Sequence, residues 1–210
     1  MQKNKKIVYR AVKRLFDIIF AIIGCVLLIP LTVIVKICYV LSGDFKSVFY
    51  RQDRVGLHGK KIRIFKFRSM VKNADDVLKE LLKDPQRKRE WELNQKLDDD
   101  PRITKVGKIL RKCSLDEVPQ FINVLIGDMS LVGPRPLVEG ELEAHGGDPE
   151  IYRSVRPGIT GWWAANGRSA LSYKDRLSLE MYYAQNCSIL LDIKCIFKTI
   201  SAVLFKRGAK

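Results

Sequence analysis

Two neighbouring carboxylates, Asp116 and Glu117, directly precede an apolar helical stripe and are the first candidates for chemistry in this chain. Their position also has a structural explanation. Acidic residues at a helix start complement the helix dipole, and Ser114 with Glu117 has the spacing of a capping box. Pro119 weakens that explanation, because a proline beyond the first turn costs a backbone hydrogen bond. A helix start one or two residues later would leave the carboxylates at the mouth of the helix, although spacing alone favours a structural role.

Arginines in turn-rich sequence accompany this pair. Arg135 lies between two prolines in Gly133–Pro136, and a stiff backbone suits fixed bidentate contact with a phosphate. Arg156 precedes a Pro-Gly pair, and Arg168 closes an Asn-Gly-Arg turn that begins at Asn166. Mg²⁺ favours one or two carboxylates together with substrate oxygens. The combination therefore predicts a site for Mg²⁺ and a diphosphate.

The segment from Ile18 to Leu41 is almost wholly apolar. It is long enough to span a bilayer, which takes about 20 apolar residues. Pro30 lies near its middle, where a proline kinks a helix. Basic residues flank both ends, and basic flanks prefer the cytoplasmic side. A helix that enters, bends at Pro30 and leaves by the same face satisfies both flanks, so the sequence favours a re-entrant helix over a kinked spanning one.

A β-hairpin is predicted between residues 48–50 and 62–68, which are separated by a glycine-containing turn. In the second strand, the period of two puts Lys66 and Arg68 on the same face as two isoleucines. The strand can thus bury apolar side chains at one end and present two cations at the other.

The remaining elements are polar helices, a loop and an apolar tail. Residues 73–97 predict one or two polar helices broken near Pro85. The acidic run before Pro101 (98–100) predicts a solvated turn rather than a metal site. Residues 189–204 carry apolar side chains at helical spacing with lysines beside them, which predicts an amphipathic helix. That helix could lie in the headgroup layer or pack on the core, and the sequence does not decide between the two.

Composition limits the partners. The chain has 210 residues, enough for one compact domain and a membrane element. Its formal net charge of +15 indicates a polyanionic partner, which could be nucleic acid, an anionic membrane surface or a phosphorylated substrate. Five cysteines without a C-x-x-C pair indicate reduced thiols, and two histidines argue against a zinc site.

These motifs together resemble the bacterial sugar transferase family, the monotopic polyprenyl-phosphate phosphoglycosyl transferases of the undecaprenyl-phosphate hexose-1-phosphate transferase type. The resemblance covers nearly the whole chain in the expected order. The segments that carry it are Lys13–Asp17, Lys66–Met70, Ser114–Gln120, Asn123–Pro136, Arg156–Gly161, Asn166–Arg168 and Asp192.

The resemblance implies transfer of a sugar-1-phosphate from a UDP-sugar to a polyprenyl phosphate, with release of UMP. This would be the first membrane step in the synthesis of a polysaccharide such as an exopolysaccharide, O-antigen or capsule. Asp116 would be the nucleophile that holds the phosphosugar, and Asp116 and Glu117 would hold Mg²⁺. The expected substrate-binding residues are Lys66, Arg68, Arg111, Arg135, Arg156, Asn166 and Arg168.

Three positions depart from the family pattern. Ile29 stands where many members have a serine before the membrane proline, so no hydroxyl can assist the bend at Pro30. Ala164 stands where a glutamine is usual, which puts any contact through that glutamine in doubt. Glu180 takes the place of the usual acid beyond the Asn-Gly-Arg turn, and we expect little effect from it.

The expected fold is α+β, a small cytosolic catalytic domain of helices with a short β-hairpin. A re-entrant membrane helix in residues 1–45 and an interfacial helix in residues 187–210 would anchor the catalytic domain of residues 46–186. The expected location is the cytoplasmic face of the bacterial inner membrane, with anionic lipids and no nucleic acid as partners. The oligomeric state, including a homo-oligomer, stays open, and galactose or glucose is the favoured sugar.

Two rival functions use parts of the same pattern. A membrane-tethered basic module that binds nucleic acid or anionic lipid would need neither Asp116 nor Glu117, and its binding would fall steeply with salt. A metal-dependent nucleotide-sugar pyrophosphatase would keep the carboxylate pair but would not depend on a lipid acceptor.

Overall fold

The computed structural model describes the backbone of residues 2–94, 97–167 and 171–204 and the side chains of 6–92, 97–167 and 171–202. Within these residues, helices and two short strand pairs alternate, which confirms a mixed α and β fold. The helices are α1 Gln2–Leu41, α2 Ala74–Leu81, α3 Pro85–Asn94, α4 Lys105–Lys112, α5 Gln120–Ile126, α6 Glu141–Ala144, α7 Pro149–Tyr152, α8 Trp162–Ala165, α9 Tyr173–Asn186 and α10 Ile189–Leu204. The strands are β1 Phe49–Val55, β2 Lys61–Phe67, β3 Ser130–Val132 and β4 Gly158–Thr160.

Helix α1 contains the predicted membrane segment and runs on through Pro30 without a gap in its helical assignment. Residues Lys6–Leu41 form a helix that is long and apolar enough to cross a membrane, with a mean hydropathy of 3.1 in its most apolar 18-residue window. Near the proline, the Thr32 hydroxyl donates a hydrogen bond to the Leu28 carbonyl at 2.7 Å, one turn back along the same helix. Membrane anchoring is thus consistent with the fold, whereas the re-entrant turn at Pro30 stays a prediction.

The inner face of α1 belongs to the core of the domain that follows it. Leu28, Val35 and Tyr39 are buried in one cluster with residues of β2 and α4. Ala21 lies in a second cluster with residues of β2 and α5. A Cβ atom on Gly24 would overlap the ring of Phe121, so the glycine allows α5 to pack closely against α1. The outer face is exposed and apolar, and includes Leu27, Ile29 and Val33 among others.

Polar contacts fix α1 to the domain near both of its ends. At the start, Lys13 forms an ion pair with Asp192 on α10 at 3.0 Å. The buried Asp17 carboxylate accepts hydrogen bonds from the Ser130 hydroxyl and the Leu131 amide of β3 at 3.0 and 2.9 Å. At the other end, the Tyr39 hydroxyl donates to the backbone carbonyl that follows β2. One domain therefore contacts α1 on both sides of Pro30.

Strands β1 and β2 form the predicted hairpin, with Phe49 opposite Phe67 and Val55 opposite Lys61. The side chain of Asn123 on α5 links the hairpin to this helix. Its Nδ2 donates to the Arg63 carbonyl at 2.7 Å, and its Oδ1 accepts from the Phe65 amide at 2.9 Å. These are backbone groups that point away from β1, so the asparagine completes the hydrogen bonding of the outer edge of β2.

A second, parallel strand pair was not predicted. β3 and β4 pair with Ser130 opposite Gly158 and Val132 opposite Thr160. They are only three residues each, too short for a periodic pattern to show in the sequence. A Cβ atom on Gly133 would collide with the backbone of Arg156 and Gly158, which explains the glycine at the end of β3.

The polar region that follows the hairpin forms two helices, α2 and α3. The break between them lies just before Pro85, where the sequence predicted one. The acidic run after them is not the fully solvated turn that we expected. Asp100 is buried and forms an ion pair with Arg102 at 2.7 Å, and the Arg102 guanidinium lies over the ring of Trp91. A nearby arginine thus draws one carboxylate of the run out of solvent.

Helix α10 packs on the core, which is one of the two arrangements that the sequence left open, and its position at a lipid surface stays a prediction. Leu191 and Cys195 are buried in a cluster with β3 and α9. The opposite face exposes Leu190, Phe197 and Ile200. An apolar surface on each face fits a helix that packs on the core and also touches a lipid surface. The described cysteines, all five, are free thiols as predicted.

Replacing Asn123 by Ala should lower the free energy of unfolding by about 2–4 kcal/mol. Two partly buried backbone groups of β2 would each lose a partner, at a cost of about 1–2 kcal/mol each. Chemical denaturation in detergent or nanodiscs measures the change. Asn186→Ala is the matched control, because the exposed Asn186 amide bonds only within its own helix to the Tyr182 carbonyl. An equal loss in both variants would contradict the role assigned to Asn123.

Candidate functional site

The carboxylate pair lies on a single 3-10 turn, Leu115–Glu117, between α4 and α5. Ser114 has a left-handed backbone (φ 55°) and makes no side-chain capping bond, so the capping box that its spacing suggests does not form. Pro119 directly precedes α5, at the N-cap, where its missing N–H costs nothing. The helix therefore starts later than the capping box requires, and the two carboxylates lie at its mouth.

Asp116 is half-buried, and burial together with the neighbouring charge of Glu117 raises the pKa of its carboxyl group. The charges of Lys66 and Arg111 oppose this rise. Burial disfavours the ionised form, and a like charge nearby adds to that effect. Carboxylates held in this way are typical of functional sites, because an ionised Asp116 can gain a cation or an electrophile that relieves the repulsion.

Glu117 faces β2 across the site. Its Oε1 accepts a hydrogen bond from Nζ of Lys66 at 3.1 Å, and the side chains are 41% and 24% exposed, so both reach a surface. The hairpin positions Lys66, and the Asn123 bridge fixes the hairpin to the helix that follows Glu117. The ion pair is thus held from two sides.

These residues open onto a cleft of about 430 Å³, counted with its mouth, between the hairpin, α5 and the loop after β3. Three cations and one carboxylate line it, so the cleft carries excess positive charge. The polar and aromatic lining residues are Arg54, Lys66, Glu117, Gln120, Arg135 and Trp163.

Hydrogen bonds to its backbone hold Arg135 in place. Its amide donates to Oε1 of the buried Glu180 at 3.2 Å, and the Tyr152 hydroxyl lies 2.9 Å from its carbonyl oxygen and 2.7 Å from Oε2 of Glu180. Burial raises the pKa of Glu180 to about 7, against the opposing effect of these hydrogen bonds. We expected little effect from the departure at Glu180. In the structure, Glu180 positions the loop that carries Arg135.

The structure brings together Lys66, Glu117 and Arg135 in the cleft, with Asp116 on the adjoining turn. Arg111 is exposed at the end of α4, close enough for its charge to act on Asp116. Arg168 lies outside the described residues.

The other three predicted substrate-binding residues have partners within the fold. Arg68 is buried, forms an ion pair with Asp44 at 2.9 Å and lies over the ring of Tyr39, so it fastens the hairpin to the segment after α1. Arg156 donates from Nε to the Gly127 carbonyl at the end of α5. Asn166 donates to the Trp162 carbonyl and accepts from Lys198 on α10, both at 2.7 Å. None of the three lines the cleft described above.

Sequence reasoning missed Arg54, Gln120 and Trp163 as lining residues. The alternation of side chains along β1 could have identified Arg54. We predicted only the first residues of this strand, whereas it runs through Val55. Gln120 belongs to the motif that carries the carboxylates, and Trp163 adjoins the departure at Ala164. For these two, only the packed structure shows which side chains face the cleft.

Replacing Asp116 by Asn should raise the stability of the protein at neutral pH, because the variant buries no charge beside Glu117. A raised pKa in the folded state means that folding favours the protonated form of Asp116. Compared with the variant, the wild type is therefore most stable below the ordinary aspartate pKa of about 3.9. It loses that advantage as the pH rises through the raised pKa of the folded state. Thermal unfolding in chelator should give the variant a higher Tm near pH 7.5 and no gain near pH 3.5, with about 2–4 °C for each kcal/mol.

Asp76→Asn serves as the control, since Asp76 is 77% exposed and its removal should leave Tm unchanged at both pH values. A lower Tm for Asp116→Asn at neutral pH would show that the ionised carboxylate stabilises the fold instead.

Comparison with known proteins bears on this site. The family model described as bacterial sugar transferase matches residues 8–206. The exopolysaccharide production protein ExoY of Sinorhizobium fredii is 46% identical over 198 residues, which cover 94% of this chain and 87% of that protein. The UDP-galactose-lipid carrier transferase of Erwinia amylovora is 45% identical over 201 residues, 95% of this chain and 42% of that protein.

The undecaprenyl-phosphate galactose phosphotransferase of Salmonella typhimurium is 46% identical, again over 95% of this chain and 42% of its own length. The chain thus spans nearly all of the rhizobial relative and less than half of the other two. The family model covers the carboxylate turn, the cleft and both apolar helices in one match. The chain therefore belongs to the bacterial sugar transferase family, as its motifs indicate.

Proposed function

We propose that this protein transfers a sugar-1-phosphate from a UDP-sugar to a polyprenyl phosphate, giving a polyprenyl diphosphate-sugar and UMP. The observation that carries the proposal is Asp116, a carboxylate with a raised pKa, beside the Glu117–Lys66 ion pair at a cationic cleft. The names of two relatives specify galactose and a lipid carrier or undecaprenyl phosphate. UDP-galactose is therefore the first donor to test.

The reaction divides into two displacements at one phosphorus. A carboxylate oxygen of Asp116 attacks the sugar-linked phosphorus, and the bond between this phosphorus and the bridging oxygen breaks, so that UMP leaves with that oxygen. An oxygen of the polyprenyl phosphate then attacks the same phosphorus and breaks its bond to Asp116. Splitting a displacement through an aspartyl phosphate is ordinary covalent catalysis. The ionised form of Asp116 is the nucleophile, so the first step requires a pH at which the raised pKa is exceeded.

The cations divide the work of holding the phosphates. Lys66 is within hydrogen-bond distance of Glu117 and lines the cleft, where its ammonium can also meet a phosphate oxygen. Arg135 presents a guanidinium from a loop that Glu180 and two prolines stiffen. A planar guanidinium on a stiff loop suits bidentate contact with a diphosphate.

The carboxylate pair fits Mg²⁺. Among the described residues, no group of three or more His, Cys, Asp or Glu side chains could form a cage for a metal by itself. Mg²⁺ is commonly held by one or two carboxylates with substrate phosphates, which Asp116 and Glu117 can supply. When bound, Mg²⁺ neutralises charge on the diphosphate and the departing UMP.

The contacts of α1 support a particular membrane arrangement. Lys13 and Asp17 before Pro30, and Tyr39 after it, bind the same polar domain. A helix that carried its two ends to opposite sides of the bilayer would draw part of this domain into the hydrocarbon. We therefore propose that both ends face the cytoplasm, with α1 re-entering at Pro30 and α10 lying against the inner membrane. Anionic lipids would then meet the excess positive charge.

Turnover is tested with UDP-galactose and a short polyprenyl phosphate, reading UMP release. Asp116→Asn and Glu117→Gln should each reduce it to background without loss of the folded state, because a neutral amide replaces neither a nucleophile nor a metal ligand. Excess chelator should abolish wild-type turnover, and Mg²⁺ should restore it better than Ca²⁺. Donor labelled in the sugar-linked phosphate should label the wild-type protein, but not Asp116→Asn, when no lipid is present.

Asp76→Asn is again the matched control and should retain full turnover. Release of UMP by Asp116→Asn at the wild-type rate would remove Asp116 as nucleophile. Hydrolysis of the donor at an equal rate with and without lipid would instead identify a nucleotide-sugar pyrophosphatase.

Topology is tested with cysteines introduced at Asn4 and Lys46, in a background that lacks Cys25 and Cys38. Both should resist an impermeant thiol reagent in intact cells and react after lysis. A spanning helix predicts that one of the two reacts in intact cells. Pro30→Ala should give mixed labelling. Removing the proline stabilises the straight helix by about 3 kcal/mol. This gain is comparable to the cost of placing one basic residue at the bilayer centre. Reaction of the N-terminal cysteine in intact wild-type cells would refute re-entry.

A further inference from the structure

Arg54 on β1 is a buried arginine whose side chain donates a hydrogen bond to a neutral residue. It is 8% exposed, and its Nη2 donates a hydrogen bond to Oε1 of Gln52 at 2.7 Å. Its Nη1 is also buried, and it has no hydrogen-bond partner among the residues that the structure describes. A guanidinium removed from water is costly unless an anion compensates it.

Two other arginines in the described chain are buried to the same degree, and each has a carboxylate. Arg68 pairs with Asp44 at 2.9 Å, and Arg102 pairs with Asp100 at 2.7 Å. Arg54 has no such ion pair within the described residues. The difference is that Arg54 lines the cleft, where a ligand can supply the missing charge.

The neighbourhood of Arg54 increases this demand for an anion. Burial and the positive charge of Arg135 lower the pKa of Arg54 to about 10, and the charges of Glu141 and Glu117 offset this only in part, so the two guanidinium groups repel each other. Lys66 adds a third cation to the cleft, and the carboxylate that lines it, Glu117, already accepts a hydrogen bond from Lys66. An anion held between Arg54 and Arg135 would replace their repulsion with two attractions.

We propose that Arg54 binds a phosphate oxygen of a reactant inside the cleft, opposite Arg135, as an additional substrate-binding residue. The proposal rests on the proposed function, because it takes a phosphorylated reactant as the ligand. A phosphate can come from the nucleotide or from the polyprenyl phosphate, and the chemistry of recognition is the same for both. Gln52 then acts as the positioning residue that orients the guanidinium through its Nη2.

The binding test uses the full chain in nanodiscs and three probes: UMP, uridine and a short polyprenyl phosphate. Arg54→Gln should weaken the binding of at least one phosphate probe about tenfold or more, as expected for a lost charge-assisted hydrogen bond, and leave uridine binding unchanged. Arg54→Lys should recover part of the affinity, because it keeps the charge but not the fork. A loss confined to UMP assigns the nucleotide phosphate, and a loss confined to the lipid probe assigns the acceptor phosphate. Unchanged affinity for both would overturn the proposal.

Thermal unfolding separates binding from a structural role. Without ligand, Arg54→Gln should unfold at the wild-type temperature or above it, because an unpaired buried charge is removed. The rise in Tm that UMP or the lipid probe causes should shrink in the variant. A lower Tm without ligand, together with an undiminished ligand-induced rise, would assign Arg54 to the fold instead.

Arg63→Gln is the matched control, since Arg63 is on the same hairpin, is 72% exposed and pairs only loosely with Asp53 at 3.4 Å. It should change neither the affinity for UMP nor that for the lipid probe. The two proposals fail separately in these experiments. If the wild type transfers no sugar phosphate but Arg54→Gln still loses affinity for UMP, only the proposed function is refuted. Normal transfer with unchanged phosphate affinity would refute only the role of Arg54.

Discussion

Helix α1 must satisfy two surroundings at once, and the arrangement of the protein depends on this constraint. One face contributes Ala21, Leu28, Val35 and Tyr39 to clusters that also contain the hairpin and α5. The other face exposes large apolar side chains along most of its length. Exposed apolar surface of this extent marks contact with lipid or another apolar partner. The helix therefore forms one wall of the core and presents an apolar surface on its other face.

The geometry of the site follows from that wall. Gly24 lets the ring of Phe121 lie directly against α1, which fixes α5. Arg14 donates to the carbonyls of Val124 and Leu125 at 2.6 and 2.9 Å, which satisfies backbone groups at the far end of α5. The carboxylate turn lies directly before this helix, and Asn123 ties the helix to the strand that carries Lys66. Asp116 and the ion-paired Glu117 are thus positioned with respect to α1 by these contacts.

Much of the fold could be predicted from the sequence because its signals are local. An apolar run, a glycine-containing turn and a helix broken near Pro85 each predict one element, and each is present. The carboxylate pair, Lys66 and Arg135 could also be predicted, since their motifs carry a resemblance to a family. The predicted substrate-binding residue Arg68 shows where this reasoning ends. Strand periodicity placed it on a face with Lys66, but Asp44, more than twenty residues away, draws it out of the cleft region.

The parallel pair of β3 and β4 and the side chains from β1 and α8 could not be predicted for a similar reason. Their positions depend on contacts between segments far apart in the chain, such as Asp17 with β3 and Glu180 with the Arg135 loop. A single sequence does not record which distant partner a polar residue will find. Arg54 is the clearest case, because its role appears only when it is compared with the buried Arg68 and Arg102. Each of these forms an ion pair, whereas Arg54 forms none among the described residues.

The double use of α1 also sets the order in which the protein can be made. The helix is synthesised before its partners on α5, β3 and α10, which follow more than 100 residues later. Until those segments are made, the carboxylate of Asp17 and the ammonium of Lys13 lack the partners that they have in the folded protein. The two clusters that contain residues of α1 cannot be completed before α1 meets the later segments. Docking of α1 and completion of the core are therefore one process.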